Sequence, residues 1–250
     1  MLKGKNAVIT GARSGIGRAT VEKFAANGAN VWACAREPNE TFEADMHAVA
    51  DKYSVWIKPV YFDLSDKAQI AAGAKHILDE KLPIDVLINN AALNQIELFM
   101  QTSMESIETL FAVDFFAPLL LTQKLVKRMI RQKGGSIINV SSARALRAAP
   151  GRLAYSSAKA ALILATETLA LEFAGSGIRV NAVAPGQVGS ARMMDEMKEK
   201  NTVLNNTLGR FGRPDEIADS ILFLASDMSS YITGFTIEAT GGGGLDFTPA

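Results

Sequence analysis

A single cysteine, Cys34, occurs in the 250 residues. That excludes an intrachain disulfide framework and a cysteine-cluster metal site. Histidine is almost as scarce: His47 and His76 stand far apart in the sequence, so neither a zinc site nor any other metal is expected. Both read as solvated helix residues, and Cys34 reads as an inert thiol in an apolar strand. No excess of one charge sign exists, because 26 Lys+Arg balance 26 Asp+Glu. Nothing electrostatic asks for a nucleic acid or an anionic membrane as partner. No uninterrupted run of 18 apolar residues exists, so no membrane-spanning helix is expected. Residues 1–6 lack an apolar core of signal-peptide length. The expectation is a cytoplasmic protein.

What is present is a 48% hydrophobic chain in which short β-branched runs alternate with longer segments of helical period. Residues 7–10, 31–35, 55–62, 84–88, 136–140, 178–183 and 235–238 read as seven strands, and residues 16–27 as a helix closed by Gly28. Apolar strands separated by helices imply an α/β, doubly wound, parallel seven-stranded sheet covered on both faces. No linker, repeat or low-complexity tract divides the chain, so residues 1–250 read as one domain. The polar stretch 187–208, with Met193, Met194 and Met197, reads as an insertion that forms a substrate lid.

The first strand runs into Thr10-Gly11-Ala12-Arg13-Ser14-Gly15-Ile16-Gly17, and a helix follows. Gly11 permits a tight turn, Gly15 lets backbone approach a phosphate, and Gly17 lets the helix pack on the strand. The helix N-terminus then offers free amides to a pyrophosphate. Dinucleotide sites often carry an acid at the end of the second strand to bond the ribose 2′-hydroxyl. Here Ala35 takes that position and Arg36 follows. A guanidinium binds a 2′-phosphate, so NADP(H) is favoured over NAD(H), with Arg13 as a second cation. In the competing reading Arg36 is a solvated loop residue and Glu37 bonds the ribose.

Tyr155 and Lys159, four residues apart, share one face of an Ala-rich helix. Ser142 ends the fifth strand, where a doubly wound sheet opens its ligand crevice. Tyrosine ordinarily titrates near pH 10, and an ammonium about 4 Å away would stabilise its phenolate by about 4 kcal/mol. That predicts a phenol poised near neutral pH for proton exchange with a carbonyl oxygen.

Together these residues resemble the short-chain dehydrogenase/reductase family. The likeness runs from Leu2 to about Leu245. It rests on Thr10-Gly11-x-x-x-Gly15-x-Gly17, Asp63-Leu64, Asn89-Asn90-Ala91, Ser142, Tyr155-x-x-x-Lys159, Asn181, Pro185-Gly186 and Tyr231-Ile232-Thr233-Gly234. The resemblance implies a Rossmann-type fold and an oxidoreductase that interconverts a ketone and a secondary alcohol. In this resemblance Tyr155 is the general acid in reduction and the base in oxidation. Lys159 lowers its pKa and bonds the nicotinamide ribose, and Ser142 holds the substrate oxygen. Gly11, Arg13, Ser14, Gly15, Ile16 and Gly17 hold the phosphates, and Asp63 and Leu64 meet the adenine. Asn90 and Ala91 lie along the cofactor, Asn89 steadies the strand end, and Pro185, Gly186 and Val188 line the nicotinamide. Ser190 stands where relatives carry a threonine that bonds the carboxamide.

Two residues depart from that pattern. Ala92 replaces a glycine. Asp114 replaces the asparagine that completes the catalytic set and helps to hold a proton-relaying water. Pro118 removes the amide that would bond the Asp114 carbonyl, which leaves that carbonyl free for the same role, while the Asp114 carboxylate would attract Lys159 and offset part of its effect on Tyr155; in the competing reading Pro118 is only a kink and Asp114 is solvated. Gly209-Arg210-Phe211-Gly212-Arg213-Pro214 and Tyr231 to Gly234 look most like 3-oxoacyl-carrier-protein reductases. A carrier-linked carbonyl is then one substrate class, and sugars, polyols, steroids or other small ketones are the other. The basic set Lys124, Lys127, Arg128, Arg131 and Lys133 is a candidate surface for an acidic carrier, or simply complements a helix dipole. Arg144, Arg147 and Arg152 are candidate receptors for an anionic substrate group. The resemblance also implies a homotetramer or homodimer formed through two long helices that carry Thr122, Leu125, Leu164, Thr168 and Leu171. A reading of another class, a cofactor-binding protein with impaired catalysis, follows from Asp114 and Ala92.

Overall fold

The computed structural model describes residues 1–189, 204 and 206–245. Seven strands form one sheet: β1 (Asn6–Thr10), β2 (Asn30–Ala35), β3 (Ile57–Tyr61), β4 (Val86–Asn89), β5 (Gly135–Val140), β6 (Ile178–Pro185) and β7 (Thr236–Ala239). They lie in the order β3-β2-β1-β4-β5-β6-β7, and every neighbouring pair is parallel. The apolar runs show why. β1 is buried along its whole length, as are β4 and nearly all of β5 and β6, which requires cover on both faces. The order reverses between β1 and β4, so a crevice opens at the carboxyl ends of these two strands.

Helices cover both faces. On one side α1 (Gly15–Ala26), α2 (Glu40–Tyr53) and α7 (Pro214–Ala225) pack Phe24, Met46 and Ile221 onto Ile9, Val31 and Ile138. On the other, α3 (Lys67–Asp79), α5 (Ala117–Arg131) and α6 (Leu153–Phe173) pack Ile70, Leu121 and Ala170 onto Val8, Leu87 and Ile137. Local chemistry sets the starts. Asn39 caps α2 by accepting from the Phe42 amide, and Asp66 caps α3 by accepting from Ala68 and Gln69. Ser103 caps α4 (Met104–Phe111) in the same way. Between α4 and α5 the helix loosens into one π turn, Ala112–Phe116, in which Ala117 donates to Ala112 five residues back. Pro118 opens α5 directly after it, so the proline effect read from the sequence takes the form of a π bulge.

All seven expected strands are present, with ends shifted by one or two residues; β4 moves from 84–88 to Val86–Asn89. The stretch Met104–Arg131 is long and apolar enough to cross a bilayer by length and composition alone, which a search for uninterrupted apolar runs overlooks. Half of its apolar window is buried inside the protein. Most of the 187–208 lid, with its methionines, falls outside the described residues, as does Ser190.

Candidate active site

The glycine turn is built as its spacing predicts. Gly11 has φ +68°, and a Cβ there would lie 2.9 Å from the Ala91 Cα. A Cβ on Gly17 would lie 2.1 Å from the Gly11 carbonyl oxygen. Above Gly15 nothing stands within 4 Å, which leaves room for a phosphate against bare backbone. Ser14, at the N-cap of α1, uses no side-chain bond to cap the helix, and no acid occupies the first turn. The amides are therefore free and the dipole unopposed, as a pyrophosphate needs.

A cleft of about 330 Å³ adjoins this turn and is lined by Gly11, Ser14, Arg36, Asp63, Leu64, Asn90 and Ala91, among others. It fits the adenosine end of a dinucleotide. Cys34 and Ala35 line it where an acid would bond the ribose, so no carboxylate comes from the end of β2. Arg36 Nε lies 3.6 Å from Asp63. The Ser65 amide and hydroxyl both donate to Asp63 at 2.8 Å, and these donors hold its carboxyl below the usual range. Arg13 stands outside the cleft lining, 3.7 Å from Glu37. Ile16 packs against the core. Pro185 pairs with Ala239, Gly186 donates to the Ala239 carbonyl at 3.0 Å, and Val188 bridges to Gly212. Burial pushes the Cys34 thiol up, and His47 and His76 are exposed, as expected.

At the carboxyl end of β5, Ser142 accepts from the Arg144 amide at 3.1 Å. Tyr155 and Lys159 share one face of α6. The expectation for their charges needs correction. Lys159 is 2% exposed; its Nζ donates to the Val140 carbonyl at 3.0 Å and lies 3.6 Å from Asp114. Burial pushes the Tyr155 phenol above the ordinary tyrosine value, and the Asp114 charge adds to the rise. The neighbouring Ser142 hydroxyl and the Arg152 guanidinium pull the other way. The near-neutral phenol followed from the ammonium alone; the Asp114 carboxylate engages that ammonium, as its charge led one to expect, and opposes the effect.

Asp114 is fully buried, not solvated. Its Oδ1 accepts from the Leu93 amide at 2.7 Å, and its Oδ2 has no hydrogen-bond partner. Burial raises its carboxyl and lowers the Lys159 ammonium, and each partner's charge opposes the shift of the other. The arginine loop is also more committed than its sequence suggests. Arg147 pairs with Glu238 at 2.6 Å. Arg152 donates to Asn94 and to the Gln95 carbonyl and lies over the Tyr155 ring.

Several of the contacts that hold the site carry no sequence signal of their own. Thr10 Oγ1 accepts from the Asn90 and Ala91 amides at 2.9 and 3.1 Å, which ties the glycine turn to β4. Asn89 donates to Asn139 and Thr122 at 2.8 and 3.1 Å in a buried ladder. Ser141 donates to the Lys159 carbonyl at 2.9 Å and fixes α6 against β5. Thr122 and Leu125 are buried, whereas Leu164 and Leu171 are exposed.

A family model described as "Enoyl-(Acyl carrier protein) reductase" matches residues 11–243. The 3-oxoacyl-[acyl-carrier-protein] reductase of Thermotoga maritima is 39% identical over 96% of this chain and 98% of its own length. This chain belongs to the short-chain dehydrogenase/reductase family. The 3α-hydroxysteroid dehydrogenase of Mediterraneibacter gnavus is 35% identical, covering 96% of this chain and 97% of its own length. A crystal structure described as that of a candidate betaketoacyl-ACP reductase superposes with a TM-score of 0.84 at 29% identity, covering 97% of this chain and 99% of its own. The chain is an oxidoreductase acting on C=O and CH–OH groups, and its family uses a nicotinamide cofactor.

Proposed function

We propose that this protein is an NADP(H)-dependent reductase of a 3-oxoacyl thioester held on an acyl carrier. The observation that carries the reading is the convergence of Tyr155 and Ser142 where β5 ends, beside a crevice whose β2 terminus offers Arg36 and no acid. When bound, the nicotinamide supplies the hydride. The protein's own residues do the rest. Ser142 holds the carbonyl oxygen, and Tyr155 gives that oxygen a proton as charge builds on it. The free amides at the start of α1 hold the pyrophosphate, Arg36 takes the 2′-phosphate, and Pro185, Gly186 and Val188 support the nicotinamide. The likeness to carrier-protein reductases supports a carrier-linked substrate. The similarity to a hydroxysteroid dehydrogenase favours a small apolar ketone as the second reading.

We further propose a homodimer or homotetramer built on the face of α5 and α6, where Phe116, Ile130, Leu164 and Leu171 are exposed. A groove of about 740 Å³ lies on this face and includes Phe116 and Ile130.

The cofactor assignment is tested by steady-state reduction of acetoacetyl-CoA with NADPH and with NADH. Losing a charge-assisted contact costs about 1.5–3 kcal/mol. Arg36→Ala should therefore raise the KM for NADPH by roughly 10- to 100-fold, at 1.4 kcal/mol per decade, and leave that for NADH unchanged. Equal use of both cofactors, unaltered by Arg36→Ala, contradicts the assignment.

A further inference from the structure

We infer that Arg152 supplies the uncompensated positive charge that stabilises the Tyr155 phenolate in this enzyme. The inference rests on Tyr155 being the proton donor. It begins with the buried pair beneath the site. Lys159 and Asp114 lie 3.6 Å apart with side chains 2% and 0% exposed. The one shared proton can sit on either partner, and in both arrangements the pair is neutral overall. Seen from Tyr155 it is at most a dipole, not a cation. The family pattern, with an uncharged asparagine in place of Asp114, leaves the lysine's charge free; this chain does not.

Arg152 occupies the vacancy in charge. It is the N-cap residue of α6, three positions before Tyr155, and its guanidinium carbon lies 5.7 Å from the centre of the Tyr155 ring. The side chain is held there from the neighbouring segment: it donates to the Asn94 side chain and to the Gln95 carbonyl, the latter at 3.1 Å. The same segment is fastened by the Glu97 amide, which donates to the Gly151 carbonyl at 3.0 Å. Among the described residues Arg152 pairs with no carboxylate, unlike Arg147, which Glu238 engages. A guanidinium also keeps its proton through the working pH range, which a buried ammonium does not ensure.

The charged and polar groups around Tyr155 can be accounted for from every side. Asp114 comes from the π turn, Lys159 and Arg152 from its own helix, and the Ser142 hydroxyl from the end of β5. Arg144 acts on Arg152 as a like charge. The Glu97 carboxylate, on the segment that holds Arg152, accepts from the Gln95 side-chain Nε2 at 2.6 Å. Arg152 is thus a positioning residue that acts through Tyr155, and the loop arginines need not all serve as receptors for an anionic substrate.

The test compares Arg152→Gln, which keeps hydrogen-bond donors without charge, with Arg152→Lys, which keeps the charge. Tyrosinate absorbance is titrated in each variant, and the same titration with Tyr155→Phe added is subtracted. This isolates Tyr155 from Tyr53, Tyr61 and Tyr231 and needs no turnover. The pH dependence of kcat/KM for oxidation of a 3-hydroxyacyl-CoA is measured alongside. Arg152→Gln should move the Tyr155 midpoint and the rising limb of the profile up by about one pH unit. Below the midpoint that is a roughly tenfold loss of oxidation rate. Arg152→Lys should restore both to within a few tenths of a unit of the parent.

Equal shifts in the two variants, or a rise in KM with no movement of the midpoint, overturn the inference; the second result identifies an anion receptor instead. Should Arg152→Gln fail to fold, Asn94→Ala releases the guanidinium but keeps its charge. It should raise the midpoint by a smaller amount, and no change in it counts against the inference. Full ketone reduction by Tyr155→Phe would instead defeat the underlying reading of Tyr155, whatever the titrations show.

Discussion

Replacing Asp114 by asparagine perturbs the site at its most unusual point without changing its shape. The amide is isosteric and keeps an oxygen for the Leu93 amide, now 2.7 Å from Oδ1. It places an NH₂ group where Oδ2 lies 3.6 Å from Lys159. Attraction between unit charges at that distance is about 4.6 kcal/mol at an effective dielectric near 20. At about 7 Å a unit charge acts with about 2.4 kcal/mol, or about 1.7 pKa units. Removing the carboxylate changes the pair's net charge from zero to +1 while Lys159 keeps its proton. The Tyr155 phenol should then fall by about one unit or more. In oxidation, where the phenolate is the base, the rising limb of kcat/KM against pH should move to lower pH by the same amount. At a pH below the midpoint the variant should be up to about tenfold faster. An unmoved or upward-shifted profile would refute the reasoning, because it would mean that the lysine had discharged. Loss of turnover in a folded Asp114→Asn variant would do so too.

Two other substitutions probe the frame around the site. Gly17→Ala forces a methyl to within 2.1 Å of the Gly11 carbonyl. It should destabilise the turn by about 1–3 kcal/mol and abolish NADPH binding in a fluorescence titration; unaltered binding would contradict the close packing of α1 on β1. Glu216→Ala removes the acceptor for the Arg213 amide, 2.8 Å away at the start of α7, and two bonds from Arg210. The loss of such a cap costs about 1 kcal/mol and should lower Tm by about 2–4 °C in calorimetry near neutral pH. The Arg210 side chain and the Arg213 amide hold the Glu216 carboxyl down to about 2. Its stabilisation is therefore present above the ordinary glutamate range and is lost as pH falls towards 2, where variant and parent should melt together.

The fold was legible because its strands are buried on both faces and so read as continuous apolar runs, from 7–10 through 178–183. The glycine turn was legible for a steric reason: Gly11 and Gly17 leave no space for a side chain. Tyr155, Lys159 and Ser142 were found by spacing, since four residues of helix fix a face and the end of a strand fixes a mouth. The balance of charge was legible only in part. The sequence pointed to an Asp114 carboxylate that draws on Lys159, but not to the burial of both or to the Val140 carbonyl that also holds the ammonium. Arg147 and Arg152 look alike in the sequence, yet one pairs with Glu238 and the other lies over Tyr155. Such differences depend on contacts more than 50 residues apart, as with Arg152 and Asn94, and no local pattern records them. Asn89 was legible through its motif, but Asn139 and Thr166, which extend its buried ladder, read alone as ordinary polar residues.

The central claim is that the Tyr155 hydroxyl delivers the proton to the carbonyl oxygen. It is tested most directly by Tyr155→Phe, with the binding of NADPH and its oxidation by acetoacetyl-CoA measured on the same preparation. The account predicts NADPH affinity close to that of the parent and a loss of roughly 10²- to 10⁴-fold in kcat, the range for a positioned acid. A variant that binds NADPH normally and reduces the ketone at the parent rate would contradict it.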